Sequence, residues 1–162
     1  MDGNVVSTER VIPAPPEAIF DLVADASRHP DIDGSGAVRQ AKPGGPERLS
    51  LGATFGMSMH LGMKYSMVNT VIEFEENRRI AWQTRLQGLL GKYIGGRIWR
   101  YELEPVEGGT RVSESYDVKW IPAWARIVDV PTNRHRELQE AMRHTLERLK
   151  NAAEARDEAD QR

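Results

Sequence analysis

The chain has 162 residues, 40% hydrophobic and 28% charged, with a net charge of −2. Those figures fit one globular domain with a sizeable core, and so small a charge gives no general field for nucleic acid or anionic lipid. With no cysteine, a disulfide framework and a thiolate site are both excluded.

The opening residues, MDGNVVSTERVIP, carry neither a basic n-region nor a long apolar run, so no secretory leader is expected. No stretch reaches the ~18 apolar residues of a membrane span. Cytoplasmic location without stable membrane insertion is the resulting expectation. Residues 5–12 (VVSTERVI) alternate with β-branched content and predict a first strand. Pro13, Pro15 and Pro16 stop it, and Pro16 suits the first turn of a helix over 17–26 whose buried side is Ile19, Phe20, Leu22 and Val23. His29-Pro30 should break that helix, because a residue before proline avoids helical geometry.

From 36 to 120 the pattern is a meander. Strands are predicted over 37–42, 54–61, 66–75, 79–86, 97–104 and 110–120, with mostly short links, and such an order argues for an antiparallel sheet. Alternation assigns the inner face. Phe55, Met57, Met59 and Leu61 share it on one strand. Val68, Thr70, Ile72 and Phe74 are assigned to it on the next. Then come Ile80, Trp82 and Leu86, next Trp99, Tyr101 and Leu103, and last Val112, Tyr116, Val118 and Trp120. Arg79, Gln83, Arg85, Arg100, Glu102, Glu104, Arg111, Asp117 and Lys119 fall on the outer face.

The stretch 132–153 is a long amphipathic helix. Leu138, Ala141, Met142, Thr145, Leu146, Leu149, Ala152 and Ala153 recur at i, i+3, i+4, i+7 along one stripe. Glu140–Arg143 and Glu147–Lys150 are i, i+3 neighbours on its wet side. Such a helix needs an apolar surface of its own length, and the sheet is the available one. One domain is expected over 4–153, followed by a charged, frayed tail over 154–162.

In IPAPPEAIFDLVAD (12–25), HP (29–30), LGATF (51–55), NTVIEFEENRRIAW (69–82), WRYELEPVEGGTRVSESYD (99–117) and the final helix, the sequence resembles the START-like, helix-grip (SRPBCC) superfamily. Within it the chain is similar to the polyketide cyclase/dehydrase-like group of small bacterial proteins. The resemblance implies an α+β fold in which a curved antiparallel sheet of about seven strands grips the C-terminal helix. It also implies a cavity between the two, with 61–65, 87–96 and 121–131 flanking the entrance. Members of the superfamily act on many different molecules, so fold alone does not assign a ligand.

Two charged residues fall on the inner face, Glu114 and Arg97. An unpaired buried charge costs several kcal/mol or is neutralised, so these two should meet each other, water or a ligand. They can serve as a polar anchor, as catalytic groups with Glu114 moving protons and Arg97 holding an oxyanion, or as a structural pair. Tyr65, Trp82, Trp99, Tyr101, Tyr116 and Trp120 form an aromatic set suited to a flat ligand, or to a filled core. Met57, Met59, Met63, Met67 and Met142 suit an adaptable lining. Trp124, in an apolar connection, and His135 and Leu138, on the groove side of the last helix, complete the candidate ligand-binding set.

No metal or cofactor is expected. His60 falls on the outer face by alternation, and His29 and His144 have no partners at ligand spacing. DIDGSG (31–36) lacks the acidic twelfth position of a calcium loop, which is Lys42 here. GLLGKY lacks the first glycine of a phosphate loop, but as part of the glycine-rich stretch 88–96 it suits a lid with apolar tips.

Three functions compete: binding of a small hydrophobic or amphipathic, lipid-like or polyketide-like molecule; a cyclase/aromatase or dehydratase-type enzyme; and a protein-interaction module. The expected partner is a small hydrophobic molecule rather than nucleic acid, with the chain a monomer or homodimer.

Overall fold

A computed structural model describes residues 4–92, 95–121 and 134–162. Among these, seven strands form one antiparallel sheet in the order β1-β7-β6-β5-β4-β3-β2. The strands are β1 (Val5–Ile12), β2 (Val38–Ala41), β3 (Thr54–Leu61), β4 (Met63–Glu75), β5 (Arg79–Leu86), β6 (Gly95–Val106) and β7 (Gly109–Asp117). Helices α1 (Pro16–Val23) and α2 (His29–Ile32) follow β1, and α3 (Arg134–Asp160) closes the chain. The sheet is a curved half-barrel and the fold is α+β, as expected. None of the described helices is long and apolar enough to cross a membrane.

The chain returns to β1 because β7 closes the meander beside it, Val5 opposite Asp117 and Ile12 opposite Thr110. At that corner a Cβ on Gly109 would stand 2.1 Å from the Ile12 carbonyl oxygen, so only glycine fits.

Helix α3 lays Met142, Thr145, Leu146, Leu149 and Ala153 into the core, which is the predicted stripe. Its backbone runs beside β1 and β7 and against α1 and α2. Phe20 of α1 meets Phe74 of β4 edge-on at 5.4 Å, joining the short helix to the far strands. The predicted i, i+3 partner of Lys150 is engaged elsewhere: Glu147 pairs with Arg10 of β1, and Lys150 turns to Glu154. Nor does the helix fray at Ala153. It continues through Asp160, with Arg156 reaching back to Asp21 of α1 at 3.0 Å.

Two local readings are corrected. The first helix ends at Val23, not at 26, and Asp25 caps a 3₁₀ turn over Ala26–Arg28 by accepting from the Ser27 N–H at 2.9 Å. Pro30 then occupies the first turn of α2, where its missing N–H costs nothing. On β4 a bulge between Val71 and Glu73 switches the alternation. Met67, Asn69 and Val71 are therefore buried in place of Val68 and Thr70, while Ile72 is 37% exposed. Beyond the bulge Phe74 packs against the core, as predicted.

Candidate functional site

The strand registers bring the inner-face residues into rows across the sheet. Tyr101 stands opposite Glu114. In the next row Trp82 faces Trp99, which faces Tyr116. Beyond it Asn69 faces Thr84, which faces Arg97. Since side chains on one face repeat every second residue, at about 3.4 Å per residue, successive rows lie about 7 Å apart.

Glu114 is the unusual member. Only 2% of it is exposed, and its Oε1 accepts a hydrogen bond from the Tyr101 hydroxyl at 2.9 Å. Its Oε2 has no hydrogen-bond partner and is the sole buried side-chain oxygen or nitrogen in that position among the described residues. Burial pushes its pKa from 4.5 to about 8 against the opposing Tyr101 hydrogen bond, with Asp33 adding like-charge repulsion. One neutral donor cannot replace the hydration that a carboxylate loses. The Tyr101 phenol is pushed well above its ordinary 10, by burial first and then by Glu114.

Around this pair the walls are aromatic. Trp82 lies 5.7 Å from Tyr101, and Trp99 lies 4.6 Å from Tyr116, centroid to centroid. Behind Trp82 stands His29, stacked at 5.0 Å, with Phe55 edge-on to both rings. The His29 Nε2–H donates to the Val23 carbonyl at 2.8 Å, which fixes the neutral tautomer. Burial holds this imidazole below its ordinary 6.5 despite that bond and the nearby Asp25 and Asp33.

A group depressed in this way supplies stability above pH 6.5 and loses it as pH falls through the folded value. Relative to His29→Phe, the unfolding free energy of the wild type in urea should therefore fall with acidification below that point, by up to ~1.4 kcal/mol per pH unit, the opposite trend from Glu114 being common to both proteins. His29→Phe should remove that limb, and an unchanged acid profile in the variant would contradict the assignment.

Asn69 and Thr84 form a second buried polar pair. The Thr84 hydroxyl donates to Asn69 Oδ1 at 2.7 Å, and Asn69 Nδ2 reaches the Phe55 carbonyl at 3.4 Å. Sequence reading missed this pair and His29. Thr84 has the parity of Trp82 and was legible; Asn69 was hidden by the β4 bulge, and His29 by its distance along the chain from its partners.

Of the predicted set, Met57, Trp82, Tyr101, Tyr116 and Met142 are buried. Met59, Tyr65, Trp99 and Leu138 are half-buried, Met59 opposite Tyr65 on β3 and β4. His135 is half-buried at the start of α3. Trp120 is not an inner-face residue: β7 ends at Asp117, the alternation lapses, and the side chain is 66% exposed. Met63 is likewise 71% exposed beyond the wall. Trp124 lies outside the described residues. Arg97 is half-buried and is not the partner of Glu114, since the register sets it four residues along β6 from Tyr101, ~13 Å away.

Residues 4–154 match the family described as "Polyketide cyclase / dehydrase and lipid transport". The chain belongs to this family. A curated relative from Mycobacterium tuberculosis H37Rv, named only as an uncharacterized protein, is 33% identical over 114 residues, 69% of this chain. That match spans 46% of the relative, so the chain accounts for about half the length of the curated relatives it matches.

Among solved structures, a Chromobacterium violaceum protein superposes with a TM-score of 0.69 at 19% identity, covering 93% of this chain and 97% of the other. DynU16, of the dynemicin biosynthetic locus, gives 0.63 at 15% identity, covering 93% of this chain and 47% of the other. At such identities these neighbours establish the shared fold alone.

Proposed function

We propose that the protein binds a small hydrophobic or amphipathic molecule, lipid-like or polyketide-like, on the inner face of the sheet beneath α3. The observation that carries this reading is the orphaned Glu114 Oε2, buried beside Tyr101 and the Trp82, Trp99 and Tyr116 rings. A buried oxygen left without a partner costs about 1–3 kcal/mol, and a ligand that completes its hydrogen bonding recovers that penalty. With a pKa of about 8, Glu114 is protonated at neutral pH and can donate. The favoured ligand therefore presents an uncharged oxygen acceptor, a carbonyl or hydroxyl, on a flat apolar body that stacks on the rings.

Thermal-shift and Trp-fluorescence titration with fatty acyl esters, sterols and polycyclic ketones tests this. At least one neutral carbonyl compound should raise the melting temperature, and Glu114→Leu, which removes the donor, should weaken its binding about tenfold, the equivalent of one hydrogen bond. No shift with any compound would defeat the reading.

A second reading is favoured by the same raised pKa. A protonated carboxyl touching the ligand can act as a general acid on a carbonyl oxygen, in a cyclase or dehydratase step. Tyr101 would then orient the carboxyl, and Arg97 would hold a second oxygen farther along the face. Under this reading Glu114→Gln keeps affinity but lowers turnover ~10²–10⁴-fold.

A further inference from the structure

Three connections leave the sheet at the same end: the β3–β4 hairpin, the β5–β6 connection and the segment following β7. Each carries a large apolar side chain in solvent, Met63 at 71%, Leu89 at 87% and Trp120 at 66% exposure. The Trp120 backbone lies against the start of β6, where a Cβ on Gly96 would come within 3.2 Å of its carbonyl oxygen. With neighbouring strands about 4.8 Å apart, the tips follow the sheet edge at intervals of about 7–10 Å.

Among the described residues, charge at these strand ends is basic although the whole chain is slightly acidic. Lys64 beside Met63, Lys119 beside Trp120, and Arg85 near the end of β5 are exposed, against Asp117. Arg85 spends a hydrogen bond on the neutral Gln83, so its charge is uncompensated by that contact.

We propose that this end of the sheet docks reversibly on an anionic lipid surface, the three apolar tips entering the interfacial layer and the basic side chains resting among the headgroups. A lipid interface accepts separate apolar projections at such intervals, with an indole well suited to that depth. A second copy of the chain fits less well, because its own Lys64, Arg85 and Lys119 would be brought toward like charges. The inference extends beyond the proposed ligand reading and does not depend on it.

Flotation with phosphatidylcholine vesicles, with and without phosphatidylglycerol, is the test. The wild-type protein should float with the anionic vesicles and be released by salt. Lys64→Gln and Lys119→Gln should each lower partitioning about fivefold, the effect of one basic residue at an anionic surface. The Met63→Ser/Leu89→Ser/Trp120→Ser variant should lose flotation while keeping its circular dichroism, since all three sites are solvent-facing. Absence of wild-type flotation, salt-independent flotation, or equal flotation of the triple variant would overturn the proposal. So would a solution dimer, dispersed by the triple substitution, that ignores vesicles; that result would assign the tips to a second copy.

Discussion

Glu114→Gln should remove a contribution to stability that the wild-type protein loses as pH rises from 4.5 to about 8. In that window the folded chain keeps a proton on Glu114 that the unfolded chain has released. The folded pKa lies above the unfolded one, so the contribution is fully present below 4.5 and lost as pH climbs through about 8. The slope is about −1.4 kcal/mol per pH unit, on the order of 5 kcal/mol across the window. Burial is the cause, and the single bond from Tyr101 is too little to reverse it. Urea denaturation at several pH values isolates this group in the difference between wild type and variant, because the His29 limb, which runs the opposite way below pH 6.5, is common to both. A difference between wild type and variant that stays constant with pH would contradict a buried carboxyl with one idle oxygen.

Gly34→Ala should lower stability by about 3 kcal/mol, the upper part of the range for forced overpacking. The loop after α2 meets the middle of α3 backbone to backbone. A Cβ on Gly34 would stand 2.3 Å from the Thr145 nitrogen, 2.4 Å from the Ala141 carbonyl oxygen and 2.7 Å from the His144 carbonyl carbon. None of these atoms is the yielding end of a side chain, so the loop and the helix must separate. Two hydrogen bonds would go with the contact: Gly34 N–H to Thr145 Oγ1 at 3.0 Å, and Arg148 to the Asp33 carbonyl at 2.9 Å. For a chain of this size the melting temperature should fall by roughly 10 °C. A calorimetric midpoint within a degree or so of the wild type would mean that the loop does not seat on the helix.

These two sites differ in how far the sequence announces them. Glu114 lies between Val112 and Tyr116 in a strictly alternating strand, so its inward direction follows from parity alone. Its partner does not. Arg97 has the same parity on the neighbouring strand, but only the β6–β7 register decides that Tyr101 stands across from Glu114. Gly34 sits in DIDGSG, which reads as an ordinary turn; nothing local signals that a helix more than a hundred residues later rests on it. The β4 bulge shows the same limit, because one unpaired residue moves Asn69 inward and Ile72 outward without any break in the hydrophobic pattern.

The sequence by itself determined the strand–helix–meander–helix order, the buried stripe of α3 and the apolar inner face. Each depends on a period of two or 3.6 residues carried within one segment. Tertiary structure alone decided the register that joins Glu114 to Tyr101, the seating of α3 on Gly34, the stacking of His29 on Trp82 and the exposure of Trp120. Those are contacts between separated segments, fixed by the packing and hydrogen bonding of the whole chain, and no periodicity encodes them.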